Sequence, residues 1–260
     1  QVAVYHNSNP GDGEQDSNSS QVTPTPAPAL TVPVTGTARS KAKVDSKGNA
    51  TVDITEQDIL DAIENAQSEA AGKAAGDSAV TLSIHVSTGG AEASSLKINL
   101  SKEALQRIIH NNISGIEFVT DSPGLVLSLD LAAVTEIHRQ ADANIALTAT
   151  RKKAPKLSKA AKKIIGSRPV YDFGISYQNG TKRVTDFGNG RVYIRIPYTP
   201  GGKEAQGYLY AVYVDTGGNA VRLENSAYDS NLGGIMFAAG HFSLYGIGYT
   251  SPARFTDTSG

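Results

Sequence analysis

Hydrophobic and polar residues alternate with two different periods in residues 35–150. Asn49–Ile54 has the period of two that is typical of a strand, and apolar residues then recur at helical spacing through Glu56–Ala71. Thr55 and Asp58 at the junction match a capping box in which Asp stands in place of Glu or Gln. The pattern therefore predicts a short strand that leads directly into an amphipathic helix.

Segments with the strand period and segments with helical spacing continue to alternate up to residue 150. The pattern predicts strands at Val80–Val86 and Leu96–Leu100, a helix from Ser101 through Ile109, strands at Gly115–Val119 and Leu125–Leu129, a helix at Leu131–Ala141 capped by Asp130, and a strand at Ile145–Thr150. Asp121-Ser122-Pro123-Gly124 has turn chemistry, because proline fixes φ and glycine accepts a positive φ. We expect an α/β part with a mixed sheet and about three helices.

After residue 168 the chain is almost entirely strand-like. The predicted strands are Asp172–Tyr177, Val192–Ile196, Tyr208–Val214 and Ile235–Tyr249. They are separated by turn sequences, which we interpret as hairpin turns: Gln178-Asn179-Gly180, Gly188-Asn189-Gly190 and Gly217-Gly218-Asn219. The predicted fold class is α+β, with an α/β subdomain at 35–167 and an antiparallel, sandwich-like β subdomain at 168–250.

The flanking segments have the composition of linkers. Residues 1–34 are rich in Asn, Ser, Pro and Thr, and Thr23–Ala29 favours extended polyproline-like backbone. Gln1–Tyr5 alternates like a strand, so it is either the end of a preceding domain or a strand that pairs with the folded part. We expect residues 251–260 to be a linker or the start of a further repeat.

Composition narrows the class of protein. The chain has no cysteine, which excludes disulfides and thiolate metal sites and agrees with an exported protein. A formal net charge of −1 disfavours nucleic-acid binding. No apolar run approaches the roughly 20 residues of a membrane span, and Gln1 does not begin a signal peptide, so we expect any targeting signal to lie upstream.

Motifs for cofactors and metals are missing from the sequence. His85, His110 and His138 are isolated and lack a partner at ligand spacing, so we predict no metal site formed by side chains and no cofactor. Calcium bound by backbone carbonyls in the Gly-, Asn- and Asp-rich turns stays open.

A run of basic residues lies within residues 151–168. It comprises Lys152, Lys153, Lys156, Lys159, Lys162 and Lys163. One interpretation is a contact with an anionic polymer, such as teichoic acid or an acidic glycan. The other, which we prefer, is the solvated face of a short helix with Ile164 and Ile165 turned inward.

Several segments resemble a module of large Firmicutes surface proteins that precedes S-layer homology (SLH) repeats. They are Arg168–Asp172, Val192–Tyr198, Ala211–Asp215, His241–Tyr245 and, at the start of an SLH-like pattern, Phe255–Gly260. The resemblance implies an extracellular location at the cell wall or S-layer and a non-catalytic structural or adhesion module. Such a module links an ectodomain to an SLH anchor, and cell-wall polymer is bound by adjacent SLH repeats that are not in this chain.

His241-Phe242-Ser243 is also similar to the cleavage strand of self-cleaving GAIN-type modules, although the chain has none of their paired cysteines or tryptophans. That resemblance implies attack of Ser243 on the Phe242 carbonyl, with His241 taking the hydroxyl proton. In a strand, His241 and Ser243 share one face. The preferred alternative is structural: Phe242 anchors the core, Ser243 faces solvent or backbone, and His241 caps a strand end.

Tyrosines are concentrated in the C-terminal region. Tyr193, Tyr208 and Tyr210 are the candidates for stacking on sugar rings, as in carbohydrate-binding modules. Tyr208 and Tyr210 should share one face of a strand and Tyr213 the other. A glycan-binding module for a host or dietary glycan, or a surface for a host protein, is therefore a further alternative to the structural role.

Overall fold

The computed structural model of the 260-residue chain describes residues 34–71, 79–153 and 155–251. The strands are β1 (Val34–Lys41), β2 (Lys43–Val44), β3 (Asn49–Ile54), β4 (Val80–Ser87), β5 (Ser95–Leu100), β6 (Gly115–Thr120), β7 (Val126–Asp130), β8 (Ile145–Arg151), β9 (Val170–Tyr177), β10 (Lys182–Arg183), β11 (Val192–Pro197), β12 (Leu209–Val214), β13 (Ala220–Arg222), β14 (Ser226–Asp229), β15 (Gly234–Ala239) and β16 (Leu244–Tyr249). The α-helices are α1 (Glu56–Ala71), α2 (Lys102–His110), α3 (Leu131–Gln140) and α4 (Lys159–Ile165), and a 3-10 turn spans Gln206–Tyr208. The predicted segments Gln1–Tyr5, Thr23–Ala29 and Phe255–Gly260 lie outside the described residues.

The strands form two mixed sheets, which confirms the α+β class with a β-rich part. Sheet I has the order β1-β4-β6-β7-β11-β15-β14, and sheet II has the order β13-β12-β16-β9-β8-β5-β3-β2, with β10 paired to β9. Each sheet combines strands that precede residue 168 with strands that follow it. The predicted boundary between the subdomains 35–167 and 168–250 therefore runs through both sheets.

The chain passes between the two sheets through three strand–cap–helix–strand units: β3-α1-β4, β5-α2-β6 and β7-α3-β8. The predicted capping box is confirmed, because Thr55 N–H donates to Asp58 Oδ2 at 2.7 Å and Asp58 N–H donates to Thr55 Oγ1 at 3.2 Å. The side chains of Ser101 and Asp130 also cap helices. Ser101 Oγ accepts from the backbone N–H three residues further on at 3.0 Å, and Asp130 Oδ1 does the same at 2.7 Å. Each cap satisfies a donor that the helix itself leaves unpaired.

One large core fills the space between the sheets and the first three helices. Phe118 of sheet I and Phe173 of sheet II both contribute to it and are almost fully buried. A second, smaller core lies on the other face of sheet II, where α4 covers Tyr210 and Val212. The alternation of side chains along β9 and β12 supplies both cores from the same strands.

Two predictions for the β-rich region are wrong about how the strands are connected. Ile235–Tyr249 is two strands, β15 and β16, which belong to different sheets and are joined by residues 240–243. Gly188-Asn189-Gly190 does turn, with Gly190 N–H donating to Phe187 C=O at 2.8 Å, but its flanking strands β10 and β11 also lie in different sheets. In both places the chain crosses the core, which period-two alternation does not reveal.

The first described strand lies at an edge of sheet I, and sequence reasoning missed it. β1 pairs in parallel with β4 over eight positions, from Val34 opposite Val80 to Lys41 opposite Ser87. The last strand, β16, lies inside sheet II, with six positions paired to β12 and three to β9. The two terminal strands of the described fold therefore belong to different sheets.

Candidate functional site

The His241-Phe242-Ser243 segment lies in the crossing before β16 and not within a strand, because β16 begins at Leu244. Two backbone bonds fix the segment: Phe187 N–H donates to Gly240 C=O, and Phe173 N–H donates to Ser243 C=O, each at 3.0 Å. The expectation that His241 and Ser243 share a strand face is therefore wrong.

Aromatic rings surround this segment. The Phe242 ring packs edge-on against Phe187, with centroids 5.0 Å apart, and lies 5.8 Å from Phe173. The His241 ring is edge-on to Tyr213 at 5.4 Å, and the Tyr245 hydroxyl donates to His241 C=O at 2.8 Å. Burial, followed by the neighbouring Tyr213, raises the pKa of Tyr245, so its hydroxyl stays protonated and available as a donor.

Self-cleavage would require His241 to reach the Ser243 hydroxyl. A general base acts at about 2.6–3.2 Å from the proton that it takes. Within residues 155–251 no hydrogen bond joins His241 to Ser243, and His241 Nδ1 instead lies 3.5 Å from the Tyr245 hydroxyl. The structure places the rings of both Phe242 and His241 among the aromatic side chains, and His241 contacts Tyr213 and Tyr245 there.

The three candidate sugar-binding tyrosines are not assembled into one surface. Tyr193 on sheet I is 51% exposed, and Tyr208 is 45% exposed, whereas Tyr210 on β12 is only 5% exposed. Tyr208 ends the 3-10 turn before β12, so the expectation that it shares a strand face with Tyr210 is wrong. Arg222 lies 4.4 Å from the centre of the Tyr210 ring, and the Tyr210 hydroxyl is 2.7 Å from Thr250 Oγ1. Tyr210 therefore offers no free ring face for a sugar.

The basic run takes the place predicted for a short helix. α4 spans Lys159–Ile165 and is capped by Ser158, whose hydroxyl accepts from Ala161 N–H at 3.2 Å. Ile165 is buried, Ile164 is half-buried, and the lysines are exposed. The orientation with both isoleucines inward is confirmed, and an open cleft lies beside the helix, lined by Arg151, Lys152, Lys153, Lys162 and Arg168 among others.

Arg168 joins this cleft to a polar cluster that sequence reasoning missed. Its guanidinium pairs with Glu204, and both side chains are largely buried. Burial alone would raise the pKa of Glu204, but hydrogen bonds from the Tyr198 hydroxyl at 2.6 Å and Gly201 N–H at 2.8 Å, together with Arg168, lower it. Arg168 also donates to Ile165 C=O at 2.9 Å and lies 5.0 Å from the Tyr249 ring centre. The cluster ties α4, β16 and the loop after β11 together.

The isolated histidines lie on separate elements. His85 is exposed on β4, His110 ends α2, and His138 is half-buried on α3 with an Nε2 that has no partner among the described residues. Burial, and then the charge of Lys102, lowers the pKa of His138. In the part of the chain that the structure describes, no group of three or more His, Asp or Glu side chains is placed to hold a metal ion.

Comparison of the chain with protein-family models, with curated proteins and with solved structures finds no match. Among residues 34–71, 79–153 and 155–251, no helix is both long enough and apolar enough to cross a membrane.

Proposed function

We propose that residues 34–251 form a non-catalytic structural module that transmits tension along a cell-surface protein. The observation that supports this most directly is the placement of its terminal strands, β1 in sheet I and β16 inside sheet II. Tension applied to these two strands passes through both sheets and through the core between them.

The pairing of β1 suits this role. Because β1 and β4 run parallel, the chain enters β1 at one end of the pair and leaves β4 at the other end. A pull on β1 that is directed along the strand loads the paired positions together. An antiparallel hairpin, by contrast, can be opened one pair at a time.

Contacts outside the sheets hold both terminal strands further. α1 packs along β1, with Asn65 Nδ2 donating to Thr37 C=O at 2.9 Å. At the other terminal strand, Tyr249 contacts Arg168 and donates to Lys203 C=O at 3.3 Å. In the setting that the sequence resemblance implies, the module would link an ectodomain to an SLH wall anchor.

Single-molecule pulling tests this function, and the absence of native cysteine allows unique attachment points. Thr35→Cys with Ser251→Cys pulls through the two terminal strands. Lys43→Cys with Thr51→Cys pulls apart a directly paired position of the β2–β3 hairpin. We expect the first rupture to need a severalfold higher force in the first geometry; an equal or lower force would overturn the proposal.

A further inference from the structure

The cleft beside α4 has a volume of about 580 Å³ and a one-sided charge. None of the described residues that line it is Asp or Glu, and five are basic: Arg151, Lys152, Lys153, Lys162 and Arg168. They come from the end of β8, from the segment that follows it, from α4, and from the turn before β9. Residues distant in sequence are thus brought to one concave surface.

Only part of this charge is neutralised by the protein. Lys152 Nζ lies 2.8 Å from Asp172 Oδ2, and Arg168 is paired with Glu204. Arg151, Lys153 and Lys162 have no ion pair within the described ranges. The cleft therefore keeps an excess of positive charge.

Backbone hydrogen bonds hold several of the residues at the cleft. Arg151 N–H donates to Ser94 C=O at 2.9 Å, and Lys152 N–H donates to Val170 C=O at 2.8 Å. Gly166, at φ +59°, ends α4 and donates its N–H to Lys162 C=O at 2.9 Å. Ordering of the backbone reduces the entropy lost when a ligand is bound.

Apolar side chains also line the cleft. They are Pro155, Leu157, Ile165, Pro169 and Val170. Apolar walls lower the local dielectric constant, so the basic groups attract an anion more strongly than they would on an open surface. Arginine and lysine side chains match phosphate and carboxylate oxygens.

The cleft continues into a second one of about 650 Å³. The two share Ser94, Arg151, Ser167 and Pro169, so Arg151 stands at their junction. The second cleft also contains carboxylates, those of Glu92 and Asp121. Because Glu92 and Asp121 repel anions, an anionic ligand is held in the basic cleft and not in this second one.

We propose that this basic cleft binds a linear anionic polymer that carries phosphate or carboxylate groups. The proposal does not depend on the tension-transmitting role, because it concerns a surface and not the terminal strands. Phosphate and carboxylate share the charge and the acceptor geometry that the cleft recognises, and the choice between them is made by experiment.

Calorimetric titration of the full chain tests the site with inorganic polyphosphate, polygalacturonate, duplex DNA and neutral dextran. Binding of either anionic polymer but not of dextran supports the site, and the better ligand identifies the anionic group. Affinity should fall steeply with added salt. Binding of neither polymer, or tighter binding of duplex DNA than of both, would overturn the proposal.

Two double variants that remove the same charge distinguish an effect of the cleft on affinity from an effect of the net charge of the protein. Lys153→Gln with Lys162→Gln should weaken polymer binding by about tenfold, because two anion contacts are lost. Lys43→Gln with Lys97→Gln removes the same charge from exposed positions on β2 and β5 and should change affinity by less than about twofold. Equal losses in the two double variants would contradict a specific site.

Discussion

Gly36 of β1 lies directly against the backbone of Ala62 in α1. A Cβ placed on Gly36 would stand 1.9 Å from the Ala62 carbonyl oxygen and 2.9 Å from the Ala66 Cβ. Two hydrogen bonds further along the strand, from Asn65 to Thr37 and from Ser40 to Asp58, keep the helix aligned with it. The helix and strand can pack this closely only where the strand has no side chain.

Gly36→Ala should therefore destabilise the protein by about 3 kcal/mol, since the helix or the strand must move to admit a methyl group. Chemical denaturation with a spectroscopic readout measures the change. Gly207→Ala is the matched control, because a Cβ there meets nothing within 4 Å, and it should alter stability by less than about 0.5 kcal/mol. A Gly36→Ala protein as stable as the control would contradict the close packing.

Glu204 predicts a dependence of stability on pH. Its pKa is lowered from 4.5 in the folded protein, so its contribution is present above that value and is lost as the pH falls through the lower folded pKa. Glu204→Gln should cost about 2 kcal/mol at neutral pH, because Arg168 loses its partner.

Thermal unfolding across the acid range checks this prediction. The difference between the original protein and Glu204→Gln should shrink as the pH falls below 4.5. Glu64→Gln, at an exposed position of α1, serves as the control and should leave stability nearly unchanged. A difference that persists undiminished in acid would assign the effect to packing and not to charge.

A non-catalytic module should keep its chain intact. The denatured mass of the freshly purified protein should correspond to the full 260 residues, and the Ser243→Ala variant should behave identically. Loss of the segment after Phe242 in the original protein alone would establish self-cleavage and replace the structural interpretation.

Phe242 and Ser243 should differ in their effects on stability. Phe242→Ala removes a ring that contacts both Phe187 and Phe173 and should cost about 2 kcal/mol. Ser243→Ala should change stability by less than about 0.5 kcal/mol, because the bond from Phe173 N–H uses the backbone carbonyl and not the hydroxyl. Denaturant titration of both variants measures this contrast, and equal costs would contradict the anchoring role of the ring.

Local chemistry made the helices of this fold predictable from sequence. The Thr55–Asp58 box and the Asp130 cap need only neighbouring residues, and α1 has the predicted bounds. Strand β1 was missed, because Gly36 makes its alternation of buried and exposed positions hard to recognise.

Contacts between distant segments were beyond sequence reasoning. Arg168 and Glu204 are separated by 36 positions, and neither residue type nor spacing indicates that they pair. The basic run was visible, but its arrangement into a cleft depends on Arg151 and Arg168, which the packing of α4 against sheet II brings beside the lysines. The placement of β15 and β16 in different sheets likewise could not be predicted, because it depends on the core that the chain crosses between them.

A reversible cross-link between β1 and β4 tests the central claim most directly. Arg39 and His85 are exposed and directly paired, so Arg39→Cys with His85→Cys can form a disulfide in a chain with no other cysteine. Pulled through handle domains fused to both ends, the oxidised protein should show a higher first-rupture force than the same molecule after reduction. The length released on unfolding should also shorten by the cross-linked loop. An unchanged first-rupture force would show that tension does not pass through the β1–β4 pair and would contradict the account.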